Sequence, residues 1–193
     1  MADQFDPENA MRLEDPARLE AMPQATVVRL LRLTGDETVV DYGAGTGIYT
    51  VAVATALPNG KVFAVEALPR LAELLREKLT PELAGRVCLS ENGDNVIPLD
   101  DGRADRVLMV DVLHHLHDQP AALEEVARVL RPGGLYVVVD WGDTERPVGP
   151  PRAHVLGLPT VREIVAGMGL GIVEAHEPGE LLPYHLVVIA EKR

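Results

Sequence analysis

Cysteine occurs once in these 193 residues, at Cys88. A lone thiol excludes an internal disulfide and any zinc site built on several cysteines, and it agrees with a reducing compartment. Cys88 is therefore read as a core residue. Aromatic residues are also scarce, at 4%, with a single tryptophan at Trp141. Basic residues are outnumbered, since 18 Lys and Arg against 30 Asp and Glu leave a formal net charge of −12. Such a chain repels a phosphate backbone and has no lysine/arginine cluster interleaved with aromatics, so large nucleic acids are disfavoured as partners. Long apolar runs are missing too: none approaches the roughly 18 residues that a membrane span needs. The opening MADQFDPENAMRLEDP is acidic where a signal peptide would be basic and then apolar. A cytoplasmic protein without a membrane partner is expected.

What is present is ordinary for one globular domain with its own core: 47% hydrophobic and 25% charged residues. Five short runs rich in β-branched residues recur: TVVDY (38–42), KVFAVE (61–66), RVCLSE (86–91), DRVLMVDV (105–112) and LYVVVDW (135–141). Between them, helical spacing runs over Ile48 to Leu57, Pro69 to Leu79 and Ala121 to Leu130, the last closed by Pro132-Gly133-Gly134. Strand alternating with helix predicts βαβ units. Because the strands are near-continuously apolar, they should be parallel and covered by helices on both faces, as in a doubly wound α/β sheet. Beyond Trp141 lie a Pro/Gly-rich stretch (142–159), a helix from Thr160 to Met168, and two strands, GIVEAHE (171–177) and YHLVVIAEK (184–192), joined by PGELLP as a hairpin that closes one sheet edge. The first 34 residues are acidic and broken by Pro7, Pro16 and Pro23, with a helix expected from Gln24 to Leu33. The division expected is an N-terminal helical segment (1–34), a core (35–141), and a lid loop, helix and hairpin (142–193), all in one domain.

The first strand ends in DYGAGTG (41–47) and runs into a helix. In a doubly wound sheet, ligands sit beyond the carboxyl ends of the strands, and glycines in the first strand-to-helix turn let a ligand approach the backbone. A dinucleotide site has G-x-G-x-x-G, which would put its third glycine where this chain has Ile48. Here the third glycine is Gly47, one residue early. Asp41, two residues before Gly43, would also repel a pyrophosphate. An acid there suits a ligand that carries positive charge and no phosphate, and S-adenosylmethionine is such a ligand.

DYGAGTG resembles the first motif of the class I S-adenosylmethionine-dependent methyltransferases, and later segments fit that family in order. Glu66 is similar to the family's acid that accepts from both ribose hydroxyls, a task suited to two carboxylate oxygens. SENGDNVIPLDDGRADRV (90–107) resembles the loop around the adenine, with either Gly93 or Asp94 opposite the adenine-contacting acid; Asp94, Asn92 and Asn95 are the candidates. MVDVLHHL (109–116) looks like the fourth-strand motif, and EEVARVLRPGGLYVVVDW (124–141) like the helix, turn and fifth strand. The resemblance covers roughly residues 35 to 141 and is nearest to the ubiquinone/menaquinone-biosynthesis-like group of methyltransferase domain 11 type. It implies a Rossmann-like three-layer sandwich, a seven-stranded sheet with an antiparallel last strand, and S-adenosylmethionine as cofactor with S-adenosylhomocysteine as product. Asp41, Gly43, Ala44, Gly45, Gly47, Glu66, Asn92, Asp94 and Asp111 are the expected cofactor residues.

Methyl transfer from a sulfonium is a one-step displacement, so the protein mainly has to align the reactants in a dry pocket, with a base where the acceptor must lose a proton. His114 and His115, after the fourth strand, are the candidate bases, since imidazole titrates near neutrality. Asp140 and Trp141, ending the fifth strand, are candidate acceptor contacts. Metal is not expected: His114 and His115 are read as pointing apart, and no cysteine or spaced acid joins them. One cysteine does not suit an arsenite methyltransferase, and no Asn-Pro-Pro-aromatic tetrad follows the fourth strand. His154, His176 and His185 have no visible partner. The segments PENAMRLEDPARLEAMP and 142–159 are candidate lids, too short for a substrate domain, so a small acceptor is expected, with a homodimer one way of completing the pocket. A nicotinamide-dependent oxidoreductase and a non-catalytic protein that keeps the cofactor as a structural ligand are the competing readings.

Overall fold

A computed structural model describes residues 7–91 and 96–193. Seven strands form one sheet in the order β3-β2-β1-β4-β5-β7-β6: β1 (Thr38–Tyr42), β2 (Lys61–Val65), β3 (Val87–Ser90), β4 (Ala104–Val110), β5 (Leu130–Trp141), β6 (Leu170–His176) and β7 (His185–Lys192). The first five strands are mutually parallel, and β7 lies antiparallel between β5 and β6. Consecutive residues of a strand point to opposite faces, so a strand covered on both sides must be apolar at every position. In β1 this is literal: Val39 belongs to one core layer and Val40 to the other, both fully buried. β5 repeats the pattern, with Val137 and Val139 in the first layer and Tyr136 and Val138 in the second. Helices α2 (Gln24–Leu30) and α3 (Ile48–Ala56) cover the first face, while α6 (Gln119–Val129) and α7 (Leu158–Gly167) cover the second.

Helix ends follow local chemistry. Pro16, Pro69, Pro81 and Pro159 sit in the first turns of α1 (Pro16–Ala21), α4 (Pro69–Lys78), α5 (Pro81–Ala84) and α7, where a missing N–H costs nothing. Asp15 caps α1 by accepting from Ala17 N–H, and Asp118 caps α6 by accepting from Ala121 N–H. The prolines of the N-terminal stretch thus start helices instead of breaking them. A 3-10 helix, Pro7–Glu14, precedes α1.

Three expectations need correction. Cys88 is exposed, because β3 is an edge strand whose Val87 and Leu89 join the first core layer while the second layer has no residue from β3. α6 ends at Val129 and β5 begins at Leu130, so Pro132-Gly133-Gly134 is not the helix stop expected but a bulge inside β5, between the Ala104↔Leu130 and Arg106↔Leu135 pairs. The helix from Gln24 ends at Leu30, and Arg32 takes a left-handed conformation with φ 51°. The parallel sheet, both helical layers and the antiparallel hairpin at the edge are as read from the sequence.

Register brings the chemistry together. Tyr42 pairs with Val65 and Val110 with Val139, so the carboxyl ends of β1, β2, β4 and β5 open onto one crevice. Antiparallel β7 delivers the start of its strand there, with His185 opposite Trp141.

Candidate functional site

The crevice holds a cavity of about 1160 Å³ bounded by the glycine turn, the ends of β2, β4 and β5, the 3-10 helix and the loop around Val148–His154. Pockets for single ligands run to roughly 300–1,000 Å³. This one has room for a cofactor and a small second molecule.

The turn after β1 is tied to β2, whose Val65 carbonyl accepts from Gly43 N–H at 2.9 Å and Ala44 N–H at 3.0 Å. Gly43 is at φ 76°, and a Cβ there would lie 2.3 Å from Val112 Cγ2. Gly47, at φ 84°, caps α3, and a Cβ on it would lie 2.6 Å from Leu75 Cγ. No side chain fits either position without displacing a neighbour. Beside the turn, Glu66 accepts from Gly45 N–H (2.7 Å) and Leu68 N–H (2.8 Å), which fixes the direction of its carboxylate at the cavity wall.

Asp41 lies behind the turn, 3% exposed, and accepts from Thr50 Oγ1 at 2.5 Å. Burial pushes its carboxyl up; the Thr50 hydroxyl opposes that, the charge of Glu66 adds to it, and the result is about 6. Among the described residues no cation pairs with Asp41. An acid without a counter-charge among the described residues, beside a glycine cradle, fits a ligand carrying a sulfonium and an ammonium, and disfavours a pyrophosphate.

Asp111, just after β4, is the opposite case. It has φ 56°, in the left-handed region that aspartate tolerates better than most residues. Its Oδ2 accepts from Arg18 Nη2 at 2.8 Å, and His185 Nε2 lies 3.3 Å from Oδ1, off the line of a hydrogen bond. Burial would raise the Asp111 carboxyl, but His185 and Arg18 outweigh it and hold the group well below the usual carboxylate range. Burial likewise opposes the charge on Arg18, and Asp111 more than restores it.

His114 sits on a 3-10 turn, Leu113–His115, that borders the cavity. Its Nδ1 is 2.5 Å from Asp140 Oδ1, and its own N–H reaches Asp140 Oδ2 at 3.2 Å. Burial lowers the imidazole's affinity for a proton, but the hydrogen bond and charge of Asp140 prevail, so its pKa is raised above the ordinary 6.5. With Nδ1 directed at Asp140, the ring's Nε2 is buried and has no hydrogen-bond partner among the described residues. His115 stacks on it, ring centroids 3.9 Å apart at 40°. Trp141 lines the cavity between the His185 ring (4.2 Å between centroids) and the Arg146 guanidinium (5.3 Å above the indole).

Of the residues singled out in the sequence, Asp41, Gly43, Ala44, Gly45, Glu66, Asp111, His114, His115 and Trp141 all border the cavity. Gly47 does not; it packs against α4. Asp140 is fully buried behind His114, with its carboxylate also taking Trp141 N–H at 2.7 Å, so it supports the histidine instead of facing an acceptor. Asn92 and Asp94 lie outside the described residues. The rings of His114 and His115 stack and do not diverge as read, though no group of three metal-ligating side chains occurs among the described residues. Sequence reading missed Arg18 and the pairing of His185. Arg18 carries no local signal, being one arginine in an acidic stretch. For His185 a signal existed: a polar residue opening an apolar strand, which the hairpin register sets opposite Trp141.

The family pattern described as methyltransferase domain matches residues 40–138, half of the chain. The chain is 28% identical over 121 residues to the ubiquinone/menaquinone biosynthesis C-methyltransferase of Syntrophotalea carbinolica and 34% identical over 124 residues to the demethylmenaquinone methyltransferase of Tropheryma whipplei. Each match takes in 63% of this chain, and the chain spans about half the length of these relatives, 51% and 49%. A crystal structure of a SAM-dependent methyltransferase from Aquifex aeolicus superposes with a TM-score of 0.89 at 29% identity, covering 97% of this chain and 98% of that one. A geranyl diphosphate methyltransferase in complex with SAM shares the fold, with a TM-score of 0.77 at 18% identity over 99% and 93% of the two chains. No helix among the described residues is long and apolar enough to cross a membrane. With its glycine cradle, the buried acid behind it and these relatives, the chain belongs to the methyltransferase domain family, as a class I S-adenosylmethionine-dependent member of the ubiquinone/menaquinone-biosynthesis-like group.

Proposed function

We propose that this chain methylates a small, flat, weakly acidic acceptor of the quinol or phenol kind, with His114 as general base. The observation that carries this reading is the His114–Asp140 pair: a 2.5 Å contact at Nδ1 and a buried, unpartnered Nε2 at the cavity border. When bound, S-adenosylmethionine supplies an electrophilic methyl on a good leaving group. Gly43 to Gly45 would let it approach the backbone, Glu66 would take the ribose hydroxyls, and Asp41 supplies negative charge near its cationic end. Asp140 holds the imidazole in the tautomer whose Nε2 accepts, so His114 can take the acceptor's proton and share the resulting charge with Asp140. Trp141 offers a flat wall and the proline-rich loop a roof, which together exclude water from the transfer. The Tropheryma relative is a demethylmenaquinone methyltransferase, which agrees with an acceptor of that shape.

The test is steady-state methylation of a panel of hydroquinones and phenols, with calorimetric titration of S-adenosylhomocysteine beside it. His114→Ala should lower kcat about 10²–10⁴-fold, the usual worth of a general base, and leave product affinity nearly unchanged. The wild-type rate should rise with pH through a value above 6.5, the raised position of His114; Asp140→Asn should move that limb to lower pH. An unchanged kcat in His114→Ala would remove the base, and tight cofactor binding without turnover on any acceptor would favour a binding protein.

A further inference from the structure

Residues 7–21 cross the mouth of the cavity, and Asn9, Arg12, Leu13 and Arg18 face it together with the glycine turn. Besides the packing of Leu19 against the first core layer, two ion pairs tie them to the rest of the molecule. On the inner side, Arg18 gives one N–H to Asp111 (2.8 Å) and another to the Leu13 carbonyl (2.7 Å), so one guanidinium ties the 3-10 helix, α1 and the end of β4. On the outer side, the Lys78 ammonium binds the Glu14 carboxylate and the Thr46 carbonyl of the glycine turn. Leu13 lies directly over Gly45, 3.3 Å from where a Cβ would be. The segment ends at Met22, which is fully buried and whose carbonyl accepts from the Tyr49 hydroxyl at 3.1 Å. Pro23 follows at once and stiffens the joint.

Both anchors of this segment belong to elements that shape the donor site: Asp111 closes β4 and Thr46 is inside the turn. We infer that residues 7–21 are a gate over the methyl-donor site, anchored at Met22-Pro23 and latched by Arg18 on Asp111, and that Arg18 sets how fast cofactor and product exchange. This rests on the donor site proposed above. Arg18 is a positioning residue in this scheme: it acts through Asp111 and the segment it carries.

The two latches should behave differently. Side chains of the Arg18–Asp111 pair are 10% and 9% exposed, against 32% and 28% for Lys78–Glu14. A buried pair is close to balanced against full hydration of both ions, whereas one ion left buried alone is costly. The inner latch is therefore two-state: closed with both ions paired, or open with both in water. The outer pair is wetter, weaker and sensitive to salt.

Hydrogen exchange of the ligand-free protein tests the gate, and stopped-flow release of S-adenosylhomocysteine tests its consequence. Arg18→Met should speed amide exchange in residues 16–21 and product release by about tenfold or more, the scale expected when a buried pair loses one partner. Lys78→Met should change both by about two- to threefold, and added salt should shrink its difference from wild type. Should Arg18→Met not fold, Arg18→Lys keeps the charge but loses the two-point attachment, and faster exchange is expected there too. Exchange and release equal to wild type in a folded Arg18 variant would overturn the gate. A wild type that binds no S-adenosylhomocysteine would overturn the donor-site reading alone, because exchange in the ligand-free protein still decides whether Arg18 latches the segment.

Discussion

Asp41 and Asp111 are the same residue type at the carboxyl ends of neighbouring parallel strands, and their surroundings set them in opposite directions. Asp41 meets one hydroxyl and a second acid, and its carboxyl sits near 6. Asp111 meets a guanidinium and an imidazole and is held far below that. The difference lies in who supplies the positive charge. For Asp111 the chain supplies its own, through a residue far away in sequence; for Asp41 the described residues supply none, and a cationic ligand would. One acid is thus paired within the free protein, and the other is buried there without a counter-charge among the described residues.

Substitutions can break this contrast. Asp111→Asn should lower stability in a denaturant titration, by less than the about 3–5 kcal/mol of an ion trapped in the interior, because release of residues 7–21 lets Arg18 reach water. Asparagine accepts a left-handed φ of 56° as readily as aspartate, so no backbone strain should confuse the result. Asp41→Asn should do the reverse, raising ligand-free stability at pH 7 by about 1 kcal/mol through removal of a buried, uncompensated charge, and weakening S-adenosylmethionine binding. A loss of stability there would mean that Asp41 already has a counter-charge.

The pH dependence sharpens the same point with a smaller effect. Between 3.8, where Asp41 ionises when unfolded, and about 6, where it does so when folded, the native state holds a proton that the unfolded chain has lost. Wild-type stability attributable to Asp41 should therefore fall as pH rises through that window and stay low above it, and Asp41→Asn should flatten the slope. Asp111 works the other way, since its contribution is present above its unfolded value and is lost as pH falls toward its depressed native one. Smallest of all, Glu66→Gln should bring the Asp41 transition modestly toward 3.8, because the charge of Glu66 is only the third influence on it.

How much of this could be read in the sequence depended on distance along the chain. Asp41 and the glycines form one contiguous motif, and Glu66 follows at the next strand end, so all were visible. The near-continuous apolar strands announced the covered parallel sheet, because each valine of β1 serves a different layer. Arg18–Asp111 was invisible, since the partners are 93 positions apart and nothing local marks the arginine. Asp140 was found but placed on the wrong side of the chemistry: a strand-end acid can face the cavity or the residue behind it, and only the Leu113–His115 turn decides which. Cys88 was misread because burial at a sheet edge depends on how far the helices reach.

The order of strands carries a consequence for how the protein is made. β5 has β4 on one side and β7 on the other, yet β7 is translated some fifty residues later, about the length that separates Trp141 from Lys192. A nascent chain that has emerged only to Trp141 can assemble the glycine turn and Glu66, but its strand 130–141 still presents a bare apolar edge. His185, which packs on the Trp141 ring, arrives in the same late strand that seals this edge, so the glycine turn can be built on the ribosome while the support of Trp141 waits for synthesis to reach β7.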